Sequence, residues 1–119
     1  MYFKPVKLKA REGRPTVLSE FGGYSCKIEG HSFNLDKTYG YRFFDNKETF
    51  GASLVALYEN EIIPEMRNSG LCACVLTQVS DVEDETNGLL TYDRQILKVD
   101  ADAMCELANR LSDSFCEAF

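Results

Sequence analysis

Leu71-Cys72-Ala73-Cys74-Val75-Leu76-Thr77 is the stretch on which the fold turns. It is apolar without alternation, the pattern of a parallel strand buried on both faces. Cys72 and Cys74 lie two apart, so on a strand they share a face and read as small buried hydrophobes. Upstream, Phe50, Leu54, Leu57, Tyr58 and Ile62 recur at three- and four-residue steps, which predicts a helix over 48–69. Asn46 suits its N-cap, with Glu48 and Thr49 in the first turn, and Gly70 suits a left-handed stop. Pro64 deletes a helical hydrogen bond, so a kink near Asn60 or a break before Pro64 is expected. Further upstream, residues 14–21 (Arg14-Pro15-Thr16-Val17-Leu18-Ser19-Glu20-Phe21) read as a short strand ended by Gly22-Gly23. Residues 22–48 are rich in Gly, Asn, Asp, Ser and Tyr, lack periodicity, and read as one long loop.

Downstream of Thr77, a polar loop from Gln78 to Gly88 carries Asp81, Glu83, Asp84 and Glu85. Leu89-Leu90-Thr91-Tyr92 reads as a brief extended piece. Asp100 or Asp102 suits the cap of a last helix that runs to about Cys116, with the stripe Met104, Leu107, Leu111 and Phe115. The order is strand, long loop, helix, strand, long loop, helix. That predicts an α/β chain with parallel strands joined by a right-handed crossover. Two parallel strands do not make a stable sheet, so the sequence reads as a slice of something larger.

Composition narrows the setting. With 119 residues the chain makes one domain at most, and 45% hydrophobic residues exclude a disordered chain. No apolar run reaches the ~18–20 residues of a membrane span, and the start has no signal-peptide core, so neither membrane nor secretion is expected. A net charge of −6 argues against a nucleic-acid partner. The charge is uneven: residues 1–14 carry five cations against Glu12, a basic lead-in of +4 on a body of −10. Such an arm suits either a polyanion or simple solvation. Five cysteines point to a reducing, cytoplasmic setting with free thiols, and they read as core. His31 is the only histidine and the cysteine spacing fits no zinc pattern, so neither metal nor cofactor is expected.

Two motifs carry a resemblance. Leu18-Ser19-Glu20-Phe21-Gly22-Gly23 resembles the nucleophile strand of glycoside hydrolase family 2, the β-galactosidase and β-glucuronidase family. Gly88-Leu89-Leu90-Thr91-Tyr92-Asp93-Arg94-Gln95-Ile96-Leu97-Lys98 resembles the segment beyond the last barrel strand of the same family. The motifs occur in the family's order, and the likeness spans roughly residues 14–117. It implies a partial (β/α)8 barrel: residues 15–70 as its seventh βα unit and 71–117 as its eighth. A whole barrel takes ~250 residues, so this is its last quarter.

The resemblance makes Glu20, at the C-terminal end of its strand, the nucleophile of a retaining glycosidase; the residue alone would read as a solvated strand end. The family's acid/base, a Glu after an Asn at a strand end, has no counterpart before Glu20. The one Asn-Glu pair, Asn60-Glu61, lies within the helix. One carboxylate cannot run a double displacement, so the chain alone is expected to be inactive. Substrate contacts implied are Gln78, which can bond a sugar hydroxyl, and Asp81, which matches an acidic residue after the strand. His31, near a loop histidine of the family, and Asn87 join them. The family's tryptophan floor falls at Thr77 or Gln78 and is lost, the chain having no Trp. Glu85-Thr86-Asn87 stands where glucuronidases grip the uronate, and its acid would repel one. The acidic run 81–85 reads as a solvated loop or, less simply, a hard-cation site. Tyr24, Tyr39, Tyr41 and Tyr92 suit either stacking on sugar rings or pinning loops. Three readings stay open: an inactive C-terminal glycosidase fragment, one half of a split enzyme, and a small α/β interaction module. A fragment's open strand edges predict self-association.

Overall fold

The computed structural model describes residues 13–118. Most of the basic lead-in, residues 1–12, therefore lies outside the described residues. β1 (Thr16–Gly22) pairs in parallel with β4 (Leu71–Thr77), as the crossover pattern requires. The described residues form a mixed α/β fold with two small parallel sheets, and these do not close into a barrel.

The connection between the two strands is one helical rod in three parts. α1 (Lys47–Leu57) starts at Asn46, whose Oδ1 accepts a hydrogen bond from the Thr49 N–H at 2.9 Å. A π-helical turn, Tyr58–Ile62, follows, and α2 (Ile63–Ser69) ends at Gly70 with φ of 67°. Gly70 thus adopts the left-handed stop that its lack of a Cβ allows. The widened turn is centred on Asn60, immediately ahead of Pro64, where a regular turn would meet the proline ring. The rod is neither broken nor capped there.

Tyr58, Leu54, Ile62, Ile63 and Met66 from this rod pack with Leu71 and with Leu107 of α3 (Ala101–Ala118) to form the main core. Leu18, Phe21, Cys74 and Leu76 add one face of the β1–β4 sheet to it. The expectation that 71–77 is buried on both faces is corrected: Val17 and Val75 are 50% and 53% exposed, and Ala73 is exposed beside them. Helices cover only one side, and no described element covers the other.

Four further expectations change. The stretch 22–48 is not all loop. β2 (Tyr24–Cys26) and β3 (Arg42–Phe44) pair in parallel, and Tyr24, Cys26 and Phe50 make a second core cluster with Phe44 against it. Three-residue strands are too short to show a period. Leu89–Tyr92 is no strand; Leu90 only bridges Ser80 and Leu97. On α3, capped by Asp100 Oδ1 on the Ala103 N–H at 2.8 Å, Phe115 is 41% exposed. Ser114 takes the seam position instead, buried and accepting from Arg67 Nη2 at 3.3 Å. Nor are all cysteines core: Cys26 is buried, Cys72 and Cys74 half-buried, Cys105 and Cys116 exposed.

The second cluster and the loop after β4 meet at Lys98. Its side chain is fully buried and its Nζ donates to Cys26 O at 3.1 Å, Thr86 O at 2.9 Å and Asp81 Oδ1 at 2.7 Å. Three acceptors call for three N–H donors, which only the ammonium form has. The Phe50 ring lies 5.2 Å below the nitrogen. Burial pulls Lys98 down and pushes Asp81 up, each opposed by the partner's charge. Asp81 Oδ1 also accepts from the Gly88 N–H at 2.8 Å, and a Cβ on Gly88 would overlap the Ser80–Asp81 backbone.

Lys98→Met is expected to destabilise the chain by about 3–5 kcal/mol, because it strands the Asp81 carboxylate in the interior. Adding Asp81→Leu should return part of that loss; equal unfolding midpoints for Lys98→Met and wild type would refute it. Asn46→Ala should cost about 1 kcal/mol through loss of the α1 cap, read from the same denaturant curves.

Candidate functional site

Glu20 owes its position to an irregularity in β1. Leu18 pairs with Cys74 and Phe21 with Leu76, so Ser19 and Glu20 together stand opposite Val75 alone. This is a bulge of one residue. Leu18 and Phe21 both pack on the core, although three residues apart, and Phe21 meets the Tyr58 ring edge-on at 5.1 Å. Without the extra residue, strict alternation would turn Glu20 toward the helices. With it, Phe21 fills that place and Glu20 stays exposed near the C-terminal end of the strand.

Around that end stand the loops after β2 and β4. Gly22 pairs with Thr77, and the Gly23 N–H reaches Thr77 O at 3.4 Å. The Tyr41 N–H donates to Gly23 O at 2.9 Å, which brings the Tyr39–Tyr41 pair over the mouth. The two rings meet edge-on at 6.1 Å and both are exposed. The Tyr41 hydroxyl is held above its ordinary range, first by its hydrogen bond with Tyr39 and then by that group's charge. The Glu20 and Glu85 carboxylates add to the effect. Glu20, Tyr41 and Glu85 thus share one electrostatic neighbourhood.

Gln78 closes the floor. Its Nε2 donates to Asn87 Oδ1 at 2.8 Å and to Glu85 Oε2 at 3.3 Å, while its backbone N–H donates to Asn87 O at 3.2 Å. The crevice below, lined by Gly22, Gly23, Leu76, Thr77 and Asn87, is too narrow for a water molecule. The Thr77–Gln78 peptide is cis.

The residues expected to contact substrate therefore separate. Gln78 is half-buried at the mouth, Asn87 is buried behind it as its hydrogen-bond acceptor, and Asp81 is corrected outright. The Asp81 side chain is fully buried, its Oδ1 bonded to Lys98 and Gly88 and its Oδ2 without a partner among the described residues, and it is closed off from solvent. His31 is engaged by a different loop, its Nδ1 meeting Asp93 Oδ2 at 2.7 Å. Phe33 and Tyr92, with ring centroids 5.2 Å apart, flank that clasp. Tyr24 is buried in the second core cluster, so of the four tyrosines only Tyr39, Tyr41 and Tyr92 present rings to solvent.

In the acidic run, Asp84 binds Lys37 at 2.7 Å, whose hydrogen bond lowers its carboxyl pKa, and Glu83 and Glu85 are exposed. Among the described residues no group of three or more His, Cys, Asp or Glu side chains is gathered as a metal ion would need. No described helix is long and apolar enough to cross a membrane. Sequence reasoning missed the bulge and the Tyr41–Glu85 surroundings of Glu20. The one signal for the bulge was Leu18 and Phe21, two apolar residues an odd step apart on one strand. Comparison with protein-family models and with curated protein sequences found no match.

Chemically, the mouth offers one exposed carboxylate on a rigid strand, an amide clamped by two acceptors, and exposed phenol rings. Such a set suits a neutral polyhydroxylated ligand better than an anionic one, since Glu20 and Glu85 both repel an acid.

The clasp gives a pH prediction. The Thr91 hydroxyl, donating at 2.7 Å, and then His31 and the Gln95 N–H, hold the Asp93 carboxyl down at about 2. A depressed acid stabilises the fold fully above its unfolded value of ~3.9 and loses that effect as pH falls toward the folded one. The tie between the 28–34 and 91–95 loops should therefore weaken between about pH 4 and pH 2. An NMR titration should give Asp93 a midpoint near 2 that rises on His31→Ala; a wild-type midpoint near 4 would count against the clasp.

Proposed function

We propose that the chain is the C-terminal part of a retaining β-glycosidase, its two parallel strands the last two of a (β/α)8 barrel. In this reading Glu20 is the nucleophile. The bulge that keeps Glu20 exposed while Phe21 fills the core is the observation that carries the reading. A side chain re-aimed by a bulge beside a strand end is how sheets commonly present a reacting group. The motif likeness to glycoside hydrolase family 2 supports the assignment independently. In the double displacement, Glu20 attacks the anomeric carbon as the aglycone oxygen leaves with a proton, and water then releases the sugar.

Tyr41, exposed beside the mouth, takes the role of a stacking surface for the sugar ring. Gln78, positioned by Asn87 and Glu85, takes that of bonding a ring hydroxyl. The substrate is a neutral β-glycoside of the β-galactoside kind, because Glu85 disfavours a uronate. The proton donor comes from polypeptide outside these 119 residues, so the chain alone does not turn over. A small interaction module without chemistry is the competing reading, and the open face of β1–β4 is what favours it.

The test is a chimera in which residues 14–117 replace the last two βα units of a family 2 β-galactosidase. Soluble chimera with a folded circular dichroism spectrum should hydrolyse an aryl β-galactoside with retention. Glu20→Gln should lower the rate by roughly 10⁴-fold or more. A 2-deoxy-2-fluoro aryl β-galactoside should leave its sugar on the peptide containing Glu20. Folded chimera whose activity is indifferent to Glu20→Gln, with no labelled peptide, overturns the proposal.

A further inference from the structure

β1 and β4 are seven residues long each, run the same way, and among the described strands pair only with each other. Each therefore keeps one edge on which no described strand forms a ladder. Their common open face carries Val17, Ala73 and Val75, all exposed, while Leu18, Cys74 and Leu76 on the other face are covered by the helices. Parallel sheets are found with both faces covered, and two strands alone are marginal. Among the described residues, the unit thus has no partner on two strand edges and no lining for one apolar face.

We propose that four copies of this chain supply both, closing head to tail into an eight-stranded parallel barrel. In each contact the free edge of β4 in one copy pairs in parallel with the free edge of β1 in the next. The geometry of the unit points to this occupant. The two free edges belong to strands of equal length and the same direction, so a parallel ladder between copies can run the length of both. The contact is heterologous, and such contacts either close into a ring or grow without limit. Closure at four gives eight strands, the number whose interior side chains alone can fill. The helices already lie on the face that would be outermost, and Val17, Ala73 and Val75 would fill the inside.

Charge agrees. The chain carries −6, yet the open strip of Val17, Ser19, Ala73 and Val75 carries none, so copies meet where like charges are absent. The inference does not rest on the glycosidase reading: it concerns the chain by itself, without the polypeptide that reading places on the same two edges.

The experiment is native mass spectrometry with sedimentation velocity on the 119-residue chain. Four times the 13.5 kDa chain mass is expected. Mixing isotopically heavy and light chains, followed by refolding, should give five mass species in binomial proportions. Val75→Glu, which places a charge in the closed interior, should give monomer with unchanged helical circular dichroism. Phe43→Ser, exposed away from the strip, should leave the tetramer intact. If Val75→Glu does not fold, Ala73→Glu serves the same purpose. A monomer or dimer for the wild-type chain overturns the proposal, as do open fibres or a tetramer that survives both charge substitutions. The oligomeric state of the chain alone and the labelling of Glu20 in the chimera are read separately, so failure of one proposal is distinguishable from failure of the other.

Discussion

A single ammonium group, that of Lys98, decides how the loops of this chain are arranged. Placing it in the interior is expensive, of the order of several kcal/mol even after relaxation, unless every N–H finds an acceptor. The three acceptors it finds come from two stretches distant in sequence: Cys26 O at the end of β2, and Thr86 O and Asp81 Oδ1 in the loop after β4. None of these can move without leaving a charge unsatisfied. The Phe50 ring beneath fixes the group against α1 as well. The loops that frame the mouth are long and mostly irregular, and this knot is their common anchor. Asp81 serves the site from below, by fixing Gly88 and the turn that carries Gln78 and Asn87.

The bulge at Ser19-Glu20 does for the sheet what Lys98 does for the loops. Core packing asks for Leu18 and Phe21 on the same side, and a regular strand cannot supply residues three apart on one face. The extra residue reconciles the two, and the by-product is a carboxylate standing free at the strand end. Core and mouth are thereby coupled. A change that relaxed Phe21 away from Tyr58 would remove the reason for the bulge and turn Glu20 inward. The same logic holds at Tyr58, whose hydroxyl burial pushes up to about 12 while its ring seats Phe21.

What the sequence made legible follows from periodicity and capping chemistry. The helix over 48–69, its Asn46 cap and its Gly70 stop are local consequences of residue type, and so is the parallel partnership of the two longer strands. The π turn was visible only as Pro64, because a proline tells where a helix must adjust without telling how. β2 and β3 were invisible since three residues carry no period, and their pairing depends on Phe44 and Phe50 meeting in the folded state. Apolarity of 71–77 was read as two-sided burial, whereas Ala73 and Val75 face water. An apolar run reports what a face is suited to touch, and no described part of this chain touches it. Of Glu20, its exposed place near the end of a strand was legible in the sequence, and its role as a nucleophile is the proposal. Asp81 and Lys98 were not legible as a pair, because they stand seventeen positions apart along irregular chain and only the fold brings the two charges to 2.7 Å.

Closure and catalysis make different demands on the open face. A ring of identical copies would satisfy the edges and bury Val17, Ala73 and Val75, and it would place four equivalent Glu20 carboxylates around one mouth. Retaining glycoside hydrolysis needs two carboxyl groups with opposite protonation, and environments that differ are what set such groups apart. Fourfold symmetry gives every Glu20 the same Tyr41 and the same Glu85. Equivalent carboxylates can divide the roles only by approaching closely enough to share a proton. Residues that flank opposite walls of a barrel filled with side chains do not meet that condition. The physics that favours self-closure therefore leaves a symmetric and unproductive mouth. Under the glycosidase proposal a productive mouth requires a partner that completes the sheet with different residues, so the same two strand edges would decide both whether the sheet closes and whether Glu20 has an acid/base to work with.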